Sequence, residues 1–216
     1  MHIVYVLTAD GSQPDTSLKG PLMQVLHALK RAISASTAVV KWGAGIQEPE
    51  RKALAKDLQA ICDNCDAAFG AVLKRLVPVK NAFANPAVLA TELRTFAADD
   101  TTRANFKPSG LCGQVDSLLI RLKSNLDPLK YSIDFRNIDE IEAYLGQFGD
   151  FDNAIFQSYD DFVAELDGIA TQIQTSTSDS QERAQYAEHV IQDFESEIRE
   201  TLAAILDAKK HTIRLI

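Results

Sequence analysis

Recognisable chemistry is scarce in this chain. Its three cysteines, Cys62, Cys65 and Cys112, are too few for a disulfide scaffold, and an odd count suits reduced thiols. Its four histidines are scattered. A Glu-x-x-His pair is absent, which argues against a histidine-ligated di-iron bundle. Neither a Gly-x-Ser-x-Gly elbow nor a phosphate-loop motif appears. Gly43-Ala44-Gly45 lacks a third glycine and a preceding strand, so it does not read as a nucleotide loop. No apolar run approaches the roughly 20 residues that cross a bilayer. Met1 to Leu7 is apolar but short and has no basic lead-in, a poor signal peptide. Cytoplasm is the default expectation, with a trimmed secreted form left open. Internal repeats and low-complexity tracts are also missing.

What the chain does have is apolar spacing by threes and fours. Leu54, Leu58, Ile61, Cys65, Phe69, Val72 and Leu76 form one run. Tyr144, Phe148, Phe151, Ile155, Tyr159, Phe162, Leu166, Ile169 and Ile173 form another. An α-helix turns once in 3.6 residues, so each run falls on one face, and such a face must be buried. The fold class expected is all-α: an elongated antiparallel bundle of five to six long helices in one domain, residues 1–216. The β-prone ends, residues 2–7 and 211–216, suit a short two-stranded ribbon.

The first helix starts near Thr16 or Pro21, with Leu22, Val25, Leu26, Leu29, Ile33, Thr37 and Val40 inside, and stops at Gly43 and Gly45. Pro49 suits the first turn of a second helix running to about Val77, where Pro78 stops or kinks it. Asn85-Pro86 reads as a cap and first-turn proline for a short third helix with Val88, Leu89, Leu93 and Phe96 inside. Ala97 to Gly110 reads as a loop. Ser109 caps a fourth helix with Leu111, Val115, Leu118, Leu119, Leu122 and Leu126 inside. Asn137 opens a fifth that reaches about Thr175. The sixth runs from about Gln181 to Lys209, with Val190, Ile191, Phe194, Ile198, Leu202 and Ile205 inside.

Net charge is −8, unevenly placed. Residues 1–130 carry 16 basic and 12 acidic side chains, and residues 131–216 carry 6 and 18. An acidic chain repels nucleic acid. The asymmetry allows two readings. Acidic carboxyl-terminal helices lie beside basic amino-terminal ones and neutralise them, or an acidic face receives a basic partner.

Cys62-Asp63-Asn64-Cys65 has a zinc-site gap but no second pair, so both thiols read as small hydrophobes. Cys112, at a helix start, is the better-placed thiol. Arg183 and His189 resemble the Arg-spacer-His pattern of HEPN-type helical nucleases. That resemblance covers those two residues, and Ala184 replaces the polar residue that often follows the arginine. It implies metal-independent RNA cleavage by a dimer. Trp42-Gly43-Ala44-Gly45 is similar to the hairpin turn of the small WXG secreted proteins, but has Ala44 where that motif needs glycine.

The aromatic stripe Tyr144, Phe148, Phe151, Tyr159 and Phe162 is the densest in the chain. It is the candidate face for an apolar ligand or a partner, the alternative being a packed core. No catalytic residue, metal or cofactor is assigned. The leading expectation is a non-catalytic interaction protein with a protein partner or self-association. A carrier of an apolar ligand, a membrane-active helical protein and a HEPN-like nuclease are the alternatives.

Overall fold

The computed structural model describes residues 21–42, 47–112, 120, 124, 151–175 and 179–216. It is an all-α assembly: α1 (Pro21–Trp42), α2 (Glu48–Asn81), α3 (Pro86–Ala97), α4 (Asp100–Ala104), α5 (Phe151–Thr175) and α6 (Ser180–Thr212). No strand occurs among the described residues. At 34 residues, α2 is about 50 Å long at 1.5 Å per residue.

Each long helix buries the face its spacing predicts, except that Leu202 of α6 is only half-buried. Leu22, Val25, Leu26, Leu29, Ile33, Thr37 and Val40 of α1 are all buried, as are Leu54, Leu58, Ile61, Cys65, Phe69, Val72 and Leu76 of α2. The hydroxyls on these faces are satisfied within their own helix, Ser36 Oγ by Ala32 O and Thr37 Oγ1 by Ile33 O, both at 2.7 Å. Contacts across the seams give the directions. Lys80 meets Glu195 and Asp66 meets Lys209, so α2 and α6 are antiparallel. Tyr186 meets Glu165 and Phe194 meets Phe162, so α5 and α6 are antiparallel too. His27 and Lys30 of α1 meet Glu197 and Glu200 of α6, so α1 packs beside α6.

The structure corrects several sequence expectations. Of the two outcomes left open at Pro78, a stop or a kinked continuation, the helix does not stop: α2 runs through Pro78 to Asn81. Proline removes one N–H from the ladder, and the carbonyl it would have served belongs to exposed Lys74, within reach of water. Buried Leu76 and Val79 hold the chain on either side. In α3 the cap is as expected: the Asn85 side chain accepts from Ala87 N at 3.1 Å and Val88 N at 3.3 Å. Val88 itself is 45% exposed, because Leu89, Ala90, Leu93 and Phe96 make the inner face.

Ala97 to Gly110 is not all loop. Asp99 caps α4, accepting from Thr101 N at 3.3 Å and from Thr102 Oγ1 at 2.6 Å. The following turn buries Phe106 and Cys112. It closes through Gly110 N to Lys107 O at 2.7 Å and Cys112 N to Asn105 O at 2.8 Å.

The ribbon of termini is overturned on its carboxyl-terminal side. α6 continues through His211 and Thr212, and a turn follows in which Leu215 N donates to Thr212 O at 2.9 Å. Lys209, Lys210 and His211 in the last turn suit the negative end of the helix dipole, which outweighs a six-residue β preference. Residues 2–7, the Gly43 and Gly45 stop, the core of the fourth helix beyond Cys112 and the start of the fifth lie outside the described residues. Within that stretch Ile120 and Ser124 are helical.

Candidate functional site

The described members of the aromatic stripe lie inside the bundle. Phe151, Tyr159 and Phe162 are buried, while Tyr144 and Phe148 fall outside the described residues. The Tyr159 ring stacks on Phe106 with centroids 4.1 Å apart and planes 13° apart, and Phe106 meets Phe69 at 6.2 Å. Phe162 meets Phe194 at 4.2 Å, tilted by 46°. Rings from α2, the turn after α4, α5 and α6 thus fill one another's space. Burial pushes the Tyr159 phenol well above its ordinary value, so it stays neutral.

The thiols sit in the same interior. Cys62, Cys65 and Cys112 are buried and unbridged. Burial, followed by the neighbouring Cys65, drives the Cys62 thiol well above the usual range and makes it unreactive. Arg183 and His189 are both exposed on α6, and His189 Nδ1 lies 2.7 Å from Gln185 O of its own helix. Six residues apart, they point about 120° away from each other around the helix. Among the described residues no group of three or more His, Cys, Asp or Glu side chains could hold a metal ion, and no helix is long and apolar enough to cross a membrane.

Charge is where the two halves of the chain meet. Lys30 of α1 reaches Glu197 at 2.9 Å and Glu200 at 2.7 Å of α6. Lys80 of α2 reaches Glu195 at 2.7 Å. Arg103 of α4 pairs with Asp160 of α5, and Arg94 of α3 lies 3.9 Å from Asp167 of α5. Basic side chains of the first half therefore neutralise acidic ones of the second across the seams. Lys209 of α6 reverses the pattern, serving Asp63 at 2.9 Å and Asp66 at 2.6 Å on α2.

Glu195 is the buried node of this system. Burial alone would raise its carboxyl, but the Lys80 and Arg199 bonds outweigh burial and hold it below the ordinary value. The unfolded chain therefore binds this proton more readily than the folded one. Stability from the node is complete above the unfolded carboxyl value, about 4.3, and is lost as pH falls through the lower folded value. Glu195→Gln should cost about 2 kcal/mol at neutral pH, with the difference from wild type shrinking below about pH 4 in urea titrations. Glu165 has the opposite sign. Burial raises its carboxyl against a weak bond from the Tyr186 hydroxyl at 3.5 Å, so Glu165→Gln should stabilise the neutral-pH fold.

The surface feature that sequence reading missed is a ridge where α2 and α6 run side by side. Val77 of α2 is 53% exposed, and Leu206 and Ile213 of α6 are 55% and 63% exposed. Leu73 and Leu202 lie half-buried on the same seam. Gly70 lies one turn before Leu73 on α2, and a Cβ there would meet no atom within 4 Å. The antiparallel register set by Lys80–Glu195 and Asp66–Lys209 brings Gly70 level with Ile205 and Leu206. Asp63, Asp66 and Lys74 border the ridge. The available signal was the seven-residue step from Leu206 to Ile213, offset from the inner stripe of α6.

Comparison with known proteins returns no match, whether to a family, to a curated protein or to a solved structure.

Proposed function

We propose that this chain is a non-catalytic helical-bundle protein that acts through protein–protein contact. The exposed α2–α6 ridge carries the reading. Large aliphatic side chains left on the outside of two adjoining helices, with an uncovered glycine on one of them, offer a shallow apolar seat with a charged border. Phe151, Tyr159 and Phe162, by contrast, are buried in the bundle.

Capture with two baits tests this. Wild-type protein and Leu206→Glu, immobilised equally, are exposed to the same extract. The reading expects a specific protein on wild type that the variant loses. A capture profile that Leu206→Glu leaves unchanged counts against the ridge as the working surface. Since Leu206 is exposed, the substitution should leave helicity unchanged and stability within about 0.5 kcal/mol of wild type.

A further inference from the structure

The ridge is self-complementary, and we infer that its occupant is a second copy of this chain, seated by a two-fold axis that runs across the helices between the two Gly70 residues. The inference rests on the reading of the ridge as a contact surface. Its argument is the order of charge along α2. Asp66 lies four residues before Gly70 and Lys74 four residues after it, both exposed. A two-fold axis across the helices at Gly70 lays α2 on the second α2 in the opposite direction. Asp66 of each copy then comes level with Lys74 of the other, twice over. Asp63, seven residues before the axis, comes level with Val77, seven residues after it.

The remaining chemistry agrees with this placement. Asp63 and Asp66 share one lysine, Lys209, so the acidic end keeps a negative charge for Lys74 to meet. Gly70 has no side chain to hold the two helices apart, and the space above it is open. Leu206, level with the axis, meets its own counterpart, and Ile213 extends the apolar strip toward Arg199 of the second α6. Arg199 offers its aliphatic stem there, since its guanidinium is turned to Glu195 at 2.6 Å. The contact mixes ion pairs with aliphatic side chains, which places self-association in the weak, reversible class.

Sedimentation velocity of the full chain over about 5 to about 200 µM tests this, with three variants. Wild type should pass from monomer to dimer as concentration rises. Gly70→Arg should remain monomeric throughout while keeping its helical circular dichroism, because the monomer has room for the side chain. Lys74→Glu and Asp66→Lys should each weaken the dimer by about ten-fold or more, since each places like charges in both contacts. An equimolar mixture of those two should regain an affinity within about three-fold of wild type, because the mixed dimer restores both pairs. Asp66→Lys also loses a bond to Lys209, so its circular dichroism is checked first; Gly70→Arg and Lys74→Glu decide the matter without it. A wild type that stays monomeric, or a dimer indifferent to Gly70→Arg and Lys74→Glu, overturns the self-pairing. Failure of the broader binding reading shows separately, as a capture profile that Leu206→Glu does not alter.

Discussion

Phe106→Ala should lower the stability of the bundle by about 4 kcal/mol, read as the shift of the urea midpoint at constant slope. Phe106 is buried outside any helix, in the turn after α4. It is the middle ring of three, stacked on Tyr159 and in contact with Phe69. Removing it strips neighbours from both rings and leaves a cavity between α2 and α5. The cavity has little means of collapse, since Phe69 and Tyr159 are each anchored mid-helix. Val88→Ala supplies the contrast. That side chain is nearly half exposed on α3, and its loss should cost under about 0.5 kcal/mol. Equal effects at the two positions would mean that Phe106 is not part of the core.

That contrast marks how far the fold was legible in sequence. Periodicity reports burial within a helix, because every third or fourth residue turns inward, and α1, α2, α5 and α6 follow it. It says little about Phe106, which is buried by a turn whose path depends on long-range contacts. Val88 failed for the opposite reason: it fits a threefold spacing, yet α3 is short and meets its neighbours on one narrow face. Local preference also gave way at the carboxyl terminus. His211 to Ile216 alternates like a strand, but a helix already propagating adds a residue at little cost, and nucleation has been met thirty residues earlier.

The charge pattern was readable as a sum and unreadable as a map. A basic first half and an acidic second half predict attraction between them, and Lys30, Lys80, Arg94 and Arg103 supply it. The reversed pairing of Lys209 with Asp63 and Asp66 needs the register of α2 on α6. So does the ridge. Leu206 and Ile213 look like ordinary members of an amphipathic helix until the seam shows them outside the described core. The aromatic stripe of α5 drew notice in sequence because aromatic side chains carry large apolar area, yet area alone does not separate a core from a contact surface. Position relative to a neighbouring helix does, and that is a tertiary property.

One substitution made at two glycines should have opposite signs. Gly110→Ala should destabilise by about 3 kcal/mol, and Gly70→Ala should stabilise by about 0.5 to 1 kcal/mol. At Gly110 a Cβ would fall 2.1 Å from the carbonyl oxygen of Ala104 and 2.7 Å from that of Asn105. Both are backbone atoms at the end of α4, so no side chain can rotate away. Relief requires the turn to lift, which strains the bonds from Gly110 N to Lys107 O and from Cys112 N to Asn105 O. Those bonds set the turn that buries Phe106 and Cys112, so the cost extends into the core. At Gly70 the added methyl meets nothing within 4 Å and replaces the costliest helix former short of proline in the middle of α2. Urea titrations should therefore move in opposite directions, with Gly110→Ala also raising Cys112 reactivity toward a thiol reagent. Destabilisation by both would place an unseen neighbour above Gly70 in the monomer, and tolerance of both would free the turn after α4 from any packing role.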